Sequence, residues 1–392
     1  MIELRLAKDL RRSIRGGHPW IYDRALAPAR GRAPGAGEVV AVSDRTGPLA
    51  IGFADPESPI RVRVLARDVA TAVDADWAAA RARSAATMRR ADPRLAAASA
   101  LRLLHGEGDL TPGLVLDLYD TTAVVIFDGD AARAFWAPRM DAVLGALRAE
   151  GHRIEHVWRR DKRAGSGELF AGTPPPERVR VEEDGARFEV DVRQGQKTGL
   201  FLDQRDNRFY LRDLVQGAEV LNLFGYTGGF SLHADRGGAK RVVTVDQAKP
   251  AIDAARRNVE LSGCDARRHE LVAEDAFTWL ERAAAAGRTF DVVVCDPPSF
   301  APRAQAAAPA RAAYRRLNAM ALRVVAPGGL LLTASCSSHV SRDDLREAVA
   351  LAARDTDRDV LVRTVRGAAP DHPVLPAFPE GDYLALLDCY VA

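Results

Sequence analysis

The sequence predicts an α/β protein whose C-terminal half is a doubly wound, mostly parallel sheet, preceded by a β-rich domain and a small α+β domain. Three observations carry this. From about residue 186, short apolar runs near 188–192, 219–224, 241–245, 269–272, 290–295 and 329–334 alternate with helical stretches, as βα units do. Three of those runs end in polar punctuation, at Asn222-Leu223-Phe224-Gly225, Cys295-Asp296-Pro297-Pro298 and Ser335-Cys336-Ser337, where open sheets place their chemistry. At 392 residues the chain exceeds one ordinary domain, and its 47% apolar residues supply core for two or three.

Residues 1–68 read as the β-rich domain, with apolar alternation at 38–42, 49–53 and 60–65. A basic helix is expected over 7–15, closed by Gly16-Gly17 and leading into His18-Pro19-Trp20-Ile21-Tyr22. Residues 69–185 read as a β-β-α-β-β module. It comprises an Ala/Arg-rich helical stretch over 72–96, the segment 101–109, a strand at 122–127, a helix at about 131–150, and strands near 154–159 and 179–182. Residues 186–392 hold the parallel sheet, and their tail adds strands at 360–365 and 383–387 across a proline-rich link.

Composition narrows the function. Apolar runs reach at most about eight residues, too short for a membrane helix, and Met1-Ile2-Glu3-Leu4-Arg5 does not open a secretory signal. Cysteines 264, 295, 336 and 389 form no CxxC pair, so neither a metal site nor a disulfide framework is expected, and a reducing cytoplasm suits them. The net charge of +2 hides an asymmetry: residues 1–32 carry eight Lys/Arg against three Asp/Glu, a balance of +5. Arginine suits phosphate and base recognition, so Arg11, Arg12 and Arg15, with Trp20 nearby, are candidate RNA contacts. The plainer source of an arginine-rich face is genome composition.

In Asn222-Leu223-Phe224-Gly225-Tyr226-Thr227-Gly228-Gly229-Phe230 the glycines permit a tight turn and close backbone approach to a ligand. Alone, that turn also fits a packing constraint or a dinucleotide site, although it opens with Asn222 and is not GxGxxG. Asp246 ends the next strand, where a carboxylate can accept hydrogen bonds from both ribose hydroxyls. Asp275, followed by Ala276, closes the third strand, where an acid and the neighbouring backbone can hold an adenine amino group. The competing role for both acids is a helix N-cap.

The spacing from this turn to Asp296-Pro297-Pro298 resembles the class I S-adenosylmethionine-dependent methyltransferases. That resemblance implies a Rossmann-like domain with a mixed, mostly parallel seven-stranded sheet. It also implies that S-adenosylmethionine lies against Asn222, Phe224, Gly225, Tyr226, Thr227 and Gly228, with Asp296 facing the transferred methyl. Cys336 and Asp296 end adjacent predicted strands. A cysteine there, taken alone, is a small buried hydrophobe. Flanked by two serines and facing a cofactor turn, it reads as a nucleophile able to add to C6 of a cytosine, with Asp296 offsetting charge near N3. Cys295, Cys264 and Cys389 read as structural.

Over nearly its whole length the chain resembles the bacterial rRNA large-subunit methyltransferase I family, which makes 5-methylcytosine in 23S rRNA. The most specific strings are Gly195-Gln196-Lys197-Thr198-Gly199-Leu200-Phe201-Leu202-Asp203-Gln204-Arg205-Asp206-Asn207-Arg208, the 222–230 turn, Asp296-Pro297-Pro298-Ser299-Phe300, and Ser335-Cys336-Ser337. Pro379-Glu380-Gly381 with Tyr383 also fits. The resemblance implies a PUA domain in 1–68 that binds structured RNA, and a partner that is 23S rRNA or a large-subunit precursor, with no membrane and no metal. By the same resemblance Lys197, Phe201, Asp203 and Arg205 border the cofactor or the substrate base, Lys197 on the RNA side. Ser299 stands where relatives commonly carry a lysine, and a related branch that methylates guanine N7 lacks the later cysteine. Two other readings stay open here: methylation of another base or ring nitrogen, or a non-catalytic assembly factor that binds S-adenosylmethionine and RNA. The target nucleotide, the assembly stage and the oligomeric state, homodimer or otherwise, are not encoded legibly.

Overall fold

Alternating apolar residues build the N-terminal elements of the computed structural model, which describes residues 1–28, 31–161, 167–300, 306–337 and 339–392. The chain divides into two compact units: 1–181 with 190–202 and 370–381, and 182–189 with 203–369 and 382–392. In the first unit, β1 (Ile2–Arg5), β2 (Trp20–Tyr22), β3 (Val39–Asp44), β4 (Gly47–Ala54) and β5 (Ile60–Ala66) form a sheet in the order β1-β3-β4-β5-β2. Helix α1 (Arg11–Gly16) begins later than 7–15 because residues 6–8 are spent elsewhere: Leu6 bridges Leu26, and the amides of Ala7 and Lys8 bond Ala25 O. Gly17, at φ 109, closes the helix in the left-handed region that glycine tolerates.

The 72–96 stretch is two helices, α2 (Ala75–Ala91) and α3 (Pro93–Ala96), because Asp92-Pro93 ends one and starts the next. Strands β6 (Ala100–His105), β7 (Leu114–Tyr119) and β8 (Thr122–Phe127) follow, then α4 (Asp130–Trp136) and α5 (Met140–Ala149), separated by a turn containing Pro138. With β9 (His156–Arg160) and β10 (Gly167–Gly172) they make a sheet ordered β10-β9-β8-β7-β6. Ile51, Phe53 and Leu65 of β4 and β5 share one buried cluster with Leu103, Phe135 and Trp136. The Phe53 and Phe135 rings stack at 5.0 Å.

Next comes β11 (Val179–Glu183), then β12 (Ala186–Val190), a two-stranded sheet of its own. The 188–192 run is therefore not a strand of the parallel sheet. Asp184 and Gly185 both sit at positive φ, 49 and 75, the two-residue turn that folds flanking strands back antiparallel.

The second unit then alternates α6 (Arg205–Arg212), β13 (Glu219–Leu223), α7 (Gly229–Arg236), β14 (Arg241–Asp246), α8 (Lys249–Leu261), β15 (His269–Ala273), α9 (Ala276–Ala285) and β16 (Phe290–Cys295). It ends with α10 (Ala307–Leu322), β17 (Val325–Ser335), α11 (Arg342–Thr356), β18 (Val360–Arg366) and β19 (Ala385–Val391). The sheet order is β15-β14-β13-β16-β17-β19-β18, parallel from β15 to β17, with β19 antiparallel to both its neighbours. This is the mixed, mostly parallel seven-stranded sheet that the methyltransferase resemblance implies. Successive residues feed opposite faces. Leu221, Val243, Val293 and Leu331 enter one apolar cluster, while Val220, Val242, Val292 and Leu330 enter the other. Burial on both faces is why these strands read as continuous apolar runs. Among the described residues no helix is long and apolar enough to cross a membrane.

Candidate active site at the C-terminal edge of the parallel sheet

Parallel pairing brings the polar ends of five strands to one edge. Leu223 lies opposite both Val245 and Cys295, Asp246 opposite Ala273, and Cys295 opposite Thr333. Asp296 therefore stands one residue, and Cys336 three residues, beyond the same cross-strand pair. The edge also carries the 224–228 turn, Asp246 and Asp275.

The turn holds an unusual backbone. Phe224 and Tyr226 sit at φ 57 and 46, a region that costs a bulky residue of order 1 kcal/mol or more and persists where the surroundings enforce it. Three contacts enforce it here: Gly225 N bonds Val245 O at 3.0 Å, Gly228 N bonds Gly225 O at 2.8 Å, and Tyr226 N donates to Asp246 Oδ2 at 2.9 Å. A Cβ on Gly225 would meet Thr244 Cγ2 at 2.4 Å, so only glycine fits against β14. Asn222, buried, donates to Ser231 Oγ at 2.9 Å, and Ser231 in turn bonds Thr244 Oγ1 at 2.7 Å, tying β13, α7 and β14 together. Its Oδ1 is buried without a partner. Thr227, also buried, is anchored through its carbonyl, which accepts from Asn258 Nδ2 at 3.0 Å.

Gly228 caps α7 with no side-chain hydrogen bond, so the first-turn amides of that helix are open to an anionic ligand. Asp246 also accepts from Ala248 N at 2.8 Å, and its remaining lone pairs can take ribose hydroxyls. Asp275 is exposed and N-caps α9, accepting from Thr278 N at 3.0 Å, with Ala276 buried behind it. The strained turn, the uncapped helix start and the orphaned Asn222 oxygen together fit a small ligand with an anionic end.

The two cysteines at this edge differ. Cys295 is wholly buried in an apolar cluster, and burial, then the charge of Asp296, pushes its thiol far up, so it stays protonated. Cys336 is half-buried, and Asp296 is likewise neither sealed nor fully exposed. Burial and then Asp388 push Cys389 up to about 12, and burial and then Asp235 push Cys264 up to about 12. Asp235, Cys264 and His269 bring ligand-type atoms within 4.8 Å of one another, the one such group among the described residues. Asp235 already accepts from His269 Nε2 at 3.3 Å and Arg268 at 2.9 Å, so the carboxylate works as a hydrogen-bonding hub.

Asp203 is buried, accepts the Tyr383 hydroxyl at 2.7 Å, and bonds Ala369 N through its carbonyl at 2.9 Å. Arg205 is buried with its Nε 3.4 Å from Glu183. The pairing of Tyr383 with Asp203 spans a sequence separation that no local pattern reveals. In the first unit, the loop before Phe201 is pinned by Thr198, whose hydroxyl donates to Asp117 at 2.6 Å and shares a 2.7 Å bond with Tyr119. Lys197, exposed and at φ 50, has its Nζ 4.4 Å from the Phe201 ring centroid. Arg11 makes a two-pronged pair with Asp44 at 2.7 Å, whereas Arg12 and Arg15 are exposed. Trp20 donates to Glu107 at 2.7 Å and packs edge-on to Phe378 at 4.5 Å.

Comparison with known proteins agrees with this architecture. A family model described as S-adenosylmethionine-dependent methyltransferase matches residues 141–378, and one described as a PUA-like domain matches 4–67. The ribosomal RNA large subunit methyltransferase I of Photobacterium profundum is 36% identical over 98% of each chain. The ribosomal RNA large subunit methyltransferase of Deinococcus radiodurans is 38% identical over 98% of this chain and 96% of its own. Among solved structures, a putative methyltransferase complexed with SAH superposes with a TM-score of 0.87 at 20% identity, covering both chains in full. At that identity the likeness shows the fold.

Proposed function

The chain belongs to the S-adenosylmethionine-dependent ribosomal RNA large subunit methyltransferases, and from that premise we propose that it methylates C5 of a cytosine in 23S rRNA through a covalent bond to Cys336. The observation that supports the cytosine reading is the contrast at the sheet edge. Cys336 is half-buried just past the end of β17, the strand paired with the one that leads into Asp296, while Cys295 is sealed and protonated.

S-adenosylmethionine, when bound, supplies an electrophilic methyl group for C5. The 222–228 turn and the start of α7 would hold its methionine end, Asp246 its ribose, and Asp275 with Ala276 its adenine, bordered by Asp203 and Arg205. Cytosine C5 is a weak nucleophile. The Cys336 thiolate therefore uses a lone pair to form an S–C6 bond, and the C5=C6 pair moves to C5. Asp296, as the carboxylic acid, gives its proton to N3, which takes up the negative charge the addition places on the ring, and regains it when the S–C6 bond breaks. With the methyl in place, C5 gives its proton to solvent, the S–C6 bond breaks to restore the double bond, and the thiolate is released unchanged. A base stacked inside RNA cannot reach a strand end, so the target must be extruded.

Residues 1–68, as a PUA-like domain with the exposed Arg12 and Arg15, and Lys197 beyond it, are assigned to rRNA or a large-subunit precursor, whereas Arg11, held by Asp44, and Trp20, bonded to Glu107, brace the fold. Residues 69–185 form the connecting module and 186–392 the methyltransferase domain. Four free cysteines suit a reducing cytoplasm.

RNA carrying 5-fluorocytosine at the target tests the mechanism, because fluorine cannot leave as the C5 proton does. A covalent protein–RNA adduct is expected, dependent on S-adenosylmethionine and mapping to Cys336. Cys336→Ala should abolish both adduct and methylation while leaving cofactor affinity within about threefold. Full turnover by Cys336→Ala would refute the thiol mechanism, and an adduct mapping to Cys295 would move the role there.

A further inference from the structure

Arg81 is a cation without a counter-ion. It lies on α2, half-buried, with its guanidinium carbon 5.4 Å from the centroid of the Trp77 ring. Among the described residues its side chain makes no hydrogen bond and no ion pair. Burial pulls its proton affinity down, with no acidic neighbour to offset the pull. The more deeply buried Arg63, Arg89 and Arg208 are each held by a carboxylate, as desolvated charges ordinarily are. Arg81 instead lines a cavity of about 260 Å³, formed where the end of α1, the end of β5 and α2 meet, with Gly17, Arg67, Leu110 and Leu375 also in its wall.

The other titratable groups of that wall are already engaged. Glu107 accepts from Trp20 at 2.7 Å and pairs with Arg63, and Asp68 accepts from the Ala70 amide at 2.9 Å. His18 is turned to the Trp20 amide at 3.2 Å. A second hollow, of about 290 Å³, shares Arg67 and Asp68 with the first and adds the exposed Arg15. Arg67 joins the two by donating to the Arg15 carbonyl at 2.9 Å. Arg15, Arg67 and Arg81 therefore follow one another along linked hollows, all within the first unit. A single small anion would occupy one hollow; a strand with repeating phosphates uses both.

We propose that the rRNA strand runs from α1 past Arg67 onto α2, with a backbone phosphate held by Arg81 and its nucleoside seated in the cavity against Leu110 and Leu375. Arg81 supplies the charge, and the two leucines supply an apolar wall for an unstacked base or its sugar. The 69–185 module then reads RNA as well as connecting its neighbours. This rests on the rRNA reading above.

The test is filter binding of an rRNA fragment across a salt series, using the full chain as wild type, Arg81→Met and Arg81→Lys. Arg81→Met keeps a stem beside Trp77 and removes the charge. It should weaken binding about three- to tenfold at about 0.1 M salt, with a slope of log affinity against log salt shallower by about 0.7–0.9, the share of one phosphate. Arg81→Lys should restore the slope, because a point charge still neutralises a phosphate, while affinity stays short of wild type for want of the planar fork. Arg81→Met should melt no lower than wild type, since it removes a half-buried charge that nothing pairs; an arginine that served the fold alone would lower the midpoint on replacement. Wild-type affinity and slope in Arg81→Met overturn the proposal and leave the rRNA reading standing, whereas a wild-type protein with no salt-dependent rRNA binding overturns both. Calorimetry with inorganic phosphate in the absence of RNA covers the remaining case. Phosphate binding that Arg81→Met abolishes, with rRNA binding unchanged, makes the cavity a small-anion pocket and also overturns the proposal.

Discussion

Asp246 shows how one side chain serves both fold and ligand. Its two oxygens brace the strained turn through Tyr226 N and the following loop through Ala248 N, and the same carboxylate is placed to accept ribose hydroxyls. Asp246→Ala should weaken S-adenosylmethionine binding about ten- to a hundredfold, the worth of about 1.5–3 kcal/mol for charged hydrogen bonds. Calorimetry at fixed pH reads this directly, and wild-type affinity in the variant would remove Asp246 from the pocket. Cys295 makes the complementary case. Since it is packed in core and stays protonated, Cys295→Ala should lower stability by about 1–2 kcal/mol through lost packing while methylation and the 5-fluorocytosine adduct persist. Loss of the adduct in a variant that still folds and binds cofactor would contradict its structural role.

At the scale of elements, the β11–β12 hairpin is latched to two helices by charge. Glu183 on β11 accepts two hydrogen bonds from Arg208 of α6 at 2.6 and 2.7 Å, and one from His233 of α7 at 3.0 Å. Burial pushes the Glu183 carboxyl up, but Arg208 and His233 outweigh it and hold the group well below the ordinary range. His233 is wholly buried, and burial lowers it against the pull of Glu183. Its Nδ1 has no partner, as a neutral imidazole allows and an imidazolium would not. Both groups take up protons more readily in the unfolded chain, so stability rises with pH. The His233 contribution fades as pH falls through about 6.5, its unfolded value, and that of Glu183 fades below about 4.5. Thermal unfolding from pH 8 to 5 should show a falling midpoint, and His233→Gln should flatten the slope. Glu183→Ala should cost about 3–5 kcal/mol at neutral pH by leaving Arg208 buried and unpaired. An equally steep slope in His233→Gln would exclude His233 as its source.

The same elements show what a sequence can disclose. The strands from β13 to β17 were readable because both faces are buried, which leaves uninterrupted apolar runs ending in informative polar residues. The 188–192 run looks like a strand of the parallel sheet because period-2 alternation does not say which partner a strand will choose. The decisive signal was Asp184-Gly185, whose positive φ values close the two strands on each other. Helix α1 starts late because a tertiary bridge at Leu6–Leu26 claims the residues before it.

At the scale of the whole chain, the N-terminal 68 residues cannot be treated as a removable module. Ile51, Phe53 and Leu65 complete the cluster that contains Leu103, Phe135 and Trp136, so truncation would uncover that core and confound any loss of RNA binding. Surface charge offers the cleaner test. Arg12 and Arg15 are exposed on α1, whereas Arg11 is occupied by Asp44 and holds the helix to β3. If these free arginines meet phosphates, each contact releases condensed counterions, and affinity falls with salt at a slope set by their number. A protein with both Arg12→Ala and Arg15→Ala should bind rRNA fragments more weakly at low salt. Its slope of log affinity against log salt should be shallower by about 1.5–2 than that of the wild type. S-adenosylmethionine affinity should not change, because every residue of the 222–228 turn, with Asp246 and Asp275, belongs to the second unit. Arg11→Ala should instead lower thermal stability, since it breaks a two-pronged ion pair and frees α1. Filter binding across a salt series separates the cases: an unchanged slope in the double variant would place the RNA surface elsewhere on the protein.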